Sequence, residues 1–276
     1  MRAGRLLLWF LGLLGLGYGV FCGLATRDAE TMLYPRPARE RARDRLPPAG
    51  SEAWWRTLPG GEKVEAWWRP APGASAERPG PAVIYFHGNA ELIDDQRQTV
   101  MIWHGLGVSV LLCEHVGYGR SEGVPSLEAD IANAAAWFDV LAARPEVRPG
   151  AIVTHGFSLG GALAAQLAAR RPVAGLVLES TFSSLPSMAR RHGVWLYFGA
   201  ERMDSAGVLR RLDPAVPVLI THGTSDDVIP VAEGRRLAAA RVTARYDEGS
   251  YPHIPWAQDE PGQVLLRELL AKVVAE

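Results

Sequence analysis

Ser158 stands in Gly156-Phe157-Ser158-Leu159-Gly160, directly after the apolar run at 151–155. A serine hydroxyl is a poor nucleophile at neutral pH. It needs an imidazole to take its proton and a carboxylate to fix that imidazole's tautomer. The G-x-S-x-G pattern is short, and with 29 glycines in the chain it carries little weight by itself. Its context carries more: a strand, then a sharp turn whose glycines relieve crowding around a strained residue, then a helix whose N-terminus favours developing negative charge.

The order of the remaining groups narrows the base. Behind such an elbow the acid precedes the histidine in the chain. The stretch His222-Gly-Thr-Ser-Asp226-Asp227-Val-Ile-Pro230 follows the run VPVLIT and offers two acids, Asp226 and Asp227. After it the chain has one histidine, His253, in Gly249-Ser-Tyr-Pro-His253, which is therefore the expected base. Glu179, ending the run GLVLE, is a further carboxylate at a strand terminus and a minor candidate for the acid.

A tetrahedral intermediate needs two donors aimed at its oxygen. The backbone N–H of Leu159 is one. The second is expected from the turn after AVIYF, at His87-Gly88-Asn89-Ala90, through Asn89, with Ala90 as the alternative. His87 reads as a loop-stabilising residue, and His115, His155 and His222 as structural turn residues; His104 and His192 carry no motif.

The elements that must hold these groups alternate. AWWRTLP and KVEAWWRP flank Gly60-Gly61 and read as an antiparallel hairpin whose paired tryptophans pack in the core or cover the sheet. Short β-branched runs follow at 82–89, 108–119, 151–158, 175–181 and 216–223, each ending in a turn. Helical stretches at 126–143 and 160–171 lie between them. This alternation predicts an α/β fold with a doubly wound, mostly parallel sheet, and in such sheets ligands bind beyond the carboxyl ends of the strands. The polar motifs sit at those ends.

Ahead of this domain, residues 6–26 run LLLWFLGLLGLGYGVFCGLAT without a charge. Twenty-one residues at about 1.5 Å each cover roughly 30 Å, one hydrocarbon core. Residues 1–26 are thus expected to form an N-terminal transmembrane anchor, with a cleavable signal peptide as the alternative. Orientation cues conflict, because Arg2 and Arg5 precede the span while Arg27, Arg36, Arg39 and Arg41 follow it. Residues 27–50 read as a basic, Pro-rich, solvated linker, and 51–276 as the catalytic domain.

Composition excludes other classes. The 276 residues are 48% hydrophobic and 21% charged with a formal charge of −1, so the chain is neither disordered nor a disulfide scaffold. Twenty-nine basic residues against 30 acidic ones give no basic surplus, and nucleic acid is not an expected partner. Cys22 and Cys113 are poor disulfide candidates, no Cys/His spacing suits a metal, and no nucleotide or flavin signature appears, so no cofactor is implied.

HGNA (87–90), GYGRSEG (117–123), GFSLGG (156–161), LESTFSSLPSMA (178–189) and HGTSDDVIP (222–230), with a distal PH (252–253), together resemble the α/β-hydrolase superfamily. Within it they are most similar to the Bem46-like, serine-aminopeptidase-like branch of membrane-anchored hydrolases. The resemblance implies the α/β-hydrolase fold, serine-based cleavage of an ester, thioester or amide, and Asp226 as the acid. Two departures stand out: EHVGYG (114–119), where relatives usually carry an acidic residue, an aromatic and an arginine before GYG, and SYPH, where glycine-rich turns are usual.

Residues 182–215 exceed a plain crossover and read as a small lid, with Met188, Trp195, Leu196, Tyr197, Phe198 and Met203 as candidates to line an acyl pocket. A lidded hydrolase tethered to a bilayer suits a lipid-like acyl ester or acylated substrate. Two alternatives remain: an aminopeptidase using Glu91, Asp94 and Asp95 to hold the substrate ammonium, or a non-catalytic membrane-anchored interaction module.

Overall fold

The computed structural model describes residues 2–27, 33–35, 46–199, 202–255 and 260–275. The basic stretch 36–45 expected to be a linker lies outside the described residues. Helix α1 (Arg2–Arg27) comes first, and its segment Trp9–Arg27 is long and apolar enough to cross a membrane. The hairpin β1 (Glu52–Thr57) and β2 (Lys63–Arg69) follows. Then come β3 (Gly80–Phe86), α2 (Arg97–Gly105), β4 (Ser109–Cys113), α3 (Leu127–Ala142), β5 (Val147–Phe157), α4 (Leu159–Ala168) and β6 (Gly175–Glu179). Two short helices, α5 (Leu185–Arg191) and α6 (Ser205–Arg211), occupy the lid region. The chain closes with β7 (Val218–Gly223), α7 (Val231–Ala240), β8 (Arg245–Gly249) and α8 (Glu260–Val274).

The eight strands form one sheet in the order β1-β2-β4-β3-β5-β6-β7-β8, parallel from β4 to β8 and antiparallel at the β1/β2 edge. Alternating side chains divide between two cores, as the two-residue period of a strand requires. Ile84, Phe86, Leu111 and Cys113 face α3, α4, α6 and α7, while Val83, Tyr85, Val110 and Leu112 face α2 and α8. Both faces are therefore covered, which explains why the inner strands read as continuous apolar runs. Strand β8 (RYDEG) is half exposed at the edge and has no apolar run, so hydrophobic patterning does not reveal it.

The chain reverses its direction of travel through the sheet between β4 and β5, leaving β3 beside β5. A crevice opens at such a switch point, beyond the carboxyl ends of the strands. The loop 87–90 leaves the end of β3 and Ser158 leaves the end of β5, side by side across it.

Candidate active site

The elbow is built by close approach. Ser158 adopts φ 55°, ψ −121°, in the positive-φ region that non-glycine residues seldom occupy. Its N–H donates to the Glu179 carbonyl (2.9 Å), and its own carbonyl accepts from Thr181 Oγ1 (2.6 Å). The neighbours of the serine must be glycine, because a Cβ at Gly160 would collide with the backbone of Phe86 and His87 and one at Gly156 with that of Gly160. Helix α4 thus sits tightly against the end of β3, with Leu159 at its first turn. An N–H there has no intrahelical acceptor and is available to a ligand.

His253 Nε2 lies 3.0 Å from Ser158 Oγ, and its Nδ1 lies 2.7 Å from Asp226 Oδ2. The second Asp226 oxygen accepts from the N–H groups of Val228 (3.0 Å) and Ile229 (2.8 Å), so the carboxylate is held from both sides. Burial alone would raise this carboxyl; hydrogen bonding to His222, His253 and the Ile229 N–H outweighs it and holds the group well below the usual carboxylate range. Asp226 is therefore an anion, and His253 donates to it from Nδ1, leaving Nε2 free to accept a hydrogen bond from the Ser158 hydroxyl. Asp227 is exposed, while Glu179 Oε2 lies 2.9 Å from His155 Nε2.

The histidine loop is laced to the aspartate loop. Thr224 N–H donates to the Gly249 carbonyl (2.8 Å) and Ser225 N–H to that of Tyr251 (3.2 Å). A Cβ at Gly223 would strike the Tyr251 backbone. The Phe157 ring stands 4.8 Å from the imidazole. Pro252 belongs to this turn, its carbonyl accepting from the Ile254 N–H (2.9 Å).

The unusual EHVGYG segment supports the loop that carries Asn89. His87 Nε2 lies 2.7 Å from Glu114 Oε1 and its Nδ1 lies 2.8 Å from the Gly88 carbonyl. Both partners are acceptors, so both ring nitrogens donate. Burial opposes this imidazolium, but the adjacent Glu114 carboxylate prevails and raises the group from 6.5 to about 9. His115 reaches Asp130 (2.7 Å) and the His87 carbonyl (3.2 Å), and Tyr118 donates to the Asn89 carbonyl (2.9 Å). Tyr34, buried although it precedes the domain boundary expected at residue 51, donates to the same Asp130 carboxylate (2.9 Å).

Ser158, Leu159 and Asn89 open into a cavity of about 380 Å³. Its remaining wall is largely apolar, with Phe182, Met188, Tyr197 and Ile229 among the lining residues. Of the six lid residues expected there, Met188 and Tyr197 line the cavity, Met203 is fully buried in the core, and Trp195, Leu196 and Phe198 face outward. The lid residues thus divide between a buried side and an exposed side. Ala25, Thr26, Leu33, His192, Val228 and Ile229 are among the wall residues that sequence reasoning did not name as such. The first two belong to α1 and carried no signal beyond hydropathy.

Residues 77–214, half of the chain, match the family described as serine aminopeptidase, S33. The chain belongs to this family. Its relatives include the uncharacterized protein Rv2307c of Mycobacterium tuberculosis, 39% identical over 162 residues, which are 58% of this chain and 58% of that protein. The chain thus spans less than two thirds of that relative's length. The lysophosphatidylserine lipase ABHD12 of Macaca fascicularis is 29% identical over 213 residues, 70% of this chain and 52% of the lipase. Among solved structures, the Pyrococcus furiosus esterase Pf2001 superposes with a TM-score of 0.65 at 18% identity, covering 80% of this chain and 92% of the esterase. The shared fold is that of the α/β hydrolases.

Proposed function

We propose that the chain is a membrane-anchored serine hydrolase that cleaves a carboxylic ester or thioester of an acyl chain. The observation that carries this reading is His253 bridging Ser158 Oγ and the Asp226 carboxylate at the floor of an apolar cavity. In the first step His253 Nε2 takes the serine proton while Oγ bonds to the acyl carbon. The N–H groups of Leu159 and Asn89 receive the oxyanion. Collapse breaks the ester bond, and His253 returns the proton to the leaving alcohol or thiol. Water, deprotonated by the same imidazole, then releases the acid and regenerates Ser158.

The esterase and lipase activities named for the similar proteins support ester chemistry. The aminopeptidase reading would need a carboxylate in the cavity to hold the substrate ammonium. The cavity lining contains none among the described residues. Glu91 instead accepts from the Gly88 N–H (2.7 Å) and Asp95 from the Leu92 N–H (3.0 Å), both serving their own loop.

Covalent labelling of the full chain by a fluorophosphonate probe tests the reading. Labelling that disappears in Ser158→Ala and in His253→Ala is expected. A folded wild type that resists the probe would leave the non-catalytic module as the better account. Turnover of acyl esters graded by chain length, set against aminoacyl amides, then separates esterase from peptidase.

A further inference from the structure

Helix α1 does not stand apart from the domain. Tyr18, Cys22 and Thr26 recur at four-residue spacing and so share one face over its last turns. Cys22 and Thr26 are buried, whereas Trp9, Leu13 and Leu16 on the preceding turns are exposed. The Tyr18 hydroxyl donates to the Gly193 carbonyl (2.7 Å) and accepts from the Trp195 N–H (2.9 Å), clasping the lid loop between α5 and α6. At the helix end, Ala25 and Thr26, with Leu33 beyond, form a wall of the same cavity that Ser158 opens into.

Length turns these contacts into a constraint. The segment Trp9–Arg27 has 19 residues. At about 1.5 Å per residue they cover ~28 Å, close to one hydrocarbon core, while the uncharged run ahead of Tyr18, residues 6–17, covers only ~18 Å. The helix can therefore cross a bilayer only if the clasped lid loop enters the same leaflet beside it. The exposed side chains of that loop suit such a position: Trp195 is 67% exposed, Leu196 48% and Phe198 60%. These three neighbouring apolar side chains face outward, and burying them in lipid is favourable.

We infer that the anchor helix is a structural part of the substrate site and that the lid loop 193–198 is immersed with it, so that an ester bearing a single acyl chain passes from the leaflet into the Ser158 cavity past Ala25 and Thr26 without entering water. This rests on the hydrolase reading above and adds the source and form of its substrate. A cavity of about 380 Å³ lies near the lower end of the ~300–1,000 Å³ usual for ligand sites, a size that suits a substrate with one acyl chain. Ala25 and Thr26 at the helix end present small side chains to that cavity.

The test uses the full chain in phosphatidylcholine vesicles with a nitroxide placed separately at Leu13→Cys, Leu196→Cys and Val242→Cys. All three positions are exposed, while the native Cys22 and Cys113 are buried. Collision with oxygen should exceed collision with a water-soluble nickel chelate at 13 and 196, and the reverse should hold at 242. A nitroxide at 196 that reports water while 13 reports hydrocarbon overturns the inference, as does a nitroxide at 13 that reports water. The wall is tested by Thr26→Trp. The ratio of turnover on a bilayer-resident long-chain monoacyl ester to turnover on a short soluble ester should fall at least tenfold, and an unchanged ratio overturns the wall. Fluorophosphonate labelling of Ser158 in the same vesicles reads the hydrolase assignment separately: loss of labelling with 196 still in hydrocarbon would overturn the chemistry and not the immersion.

Discussion

Two adjacent carboxylates at 226 and 227 differ in everything that matters to a base. Asp226 has one oxygen on His253 and the other on two backbone N–H groups, whereas Asp227 is solvated. Asp226→Asn should lower kcat by about 10³ to 10⁴-fold, because an amide can stabilise the wrong imidazole tautomer and cannot stabilise the imidazolium. Asp227→Asn should leave kcat within about twofold, since exposed charges of this kind contribute little. Single-turnover acylation rates of the two variants check both. A titration distinguishes His87. Its folded value of about 9 lies above the ordinary 6.5, so the stability it contributes is complete below about pH 6.5 and is lost as pH rises through about 9. The loss should be on the order of 3 kcal/mol over that window. Glu114→Gln removes the cause, and Tm measured from pH 6 to 10 should then slope less in the variant than in the wild type. Equal slopes would show that Glu114 does not hold the imidazolium.

At the scale of elements, the strand–elbow–helix unit depends on how closely α4 approaches β3. Gly160→Ala places a methyl against the Phe86 and His87 backbone, which cannot rotate aside as a side chain can. A cost of about 3 kcal/mol or more is expected, larger than the usual penalty for overpacking a core with side-chain neighbours. It should appear as a lowered urea midpoint and, because the His87 loop carries Asn89, as a lowered acylation rate. The lid makes a second point. Met203 is fully buried between α5 and α6, so Met203→Ala should cost about 2–5 kcal/mol, while Phe198→Ala in detergent should change stability by less than about 0.5 kcal/mol. Chemical denaturation of the two variants separates the core side of the lid from its outward side.

For the whole molecule, residues before the domain complete it. Tyr34 is buried against His115 and Tyr118, at ring-centroid separations of 6.0 and 5.9 Å, and its hydroxyl reaches Asp130. Asp130 also receives Val116 N–H and His115, so the segment after α1 is tied to the support of the Asn89 loop. Tyr34→Phe keeps the ring and removes the hydrogen bond, and should lower stability by about 1 kcal/mol in a denaturant titration. A change several times larger would mean that the hydroxyl, and not the ring, anchors this segment.

The residues proposed to carry the chemistry were legible as a group because their order is constrained by the fold: Ser158 after an apolar run, one histidine behind the candidate acids, and an HGNA turn ending another strand. The parallel sheet was legible for the same reason that its strands are buried on both faces, since that burial writes continuous apolar runs into the chain. Strand β8 was not, because an edge strand needs no such run. Which lid residues face the cavity, and that α1 supplies a wall, were decided by tertiary packing alone. Each depends on the direction a side chain takes once distant segments meet, and hydropathy records that a residue is apolar without recording what it will touch. The same lack of direction explains why Trp195, Leu196 and Phe198 read as pocket residues and stand instead on the outer face of the lid.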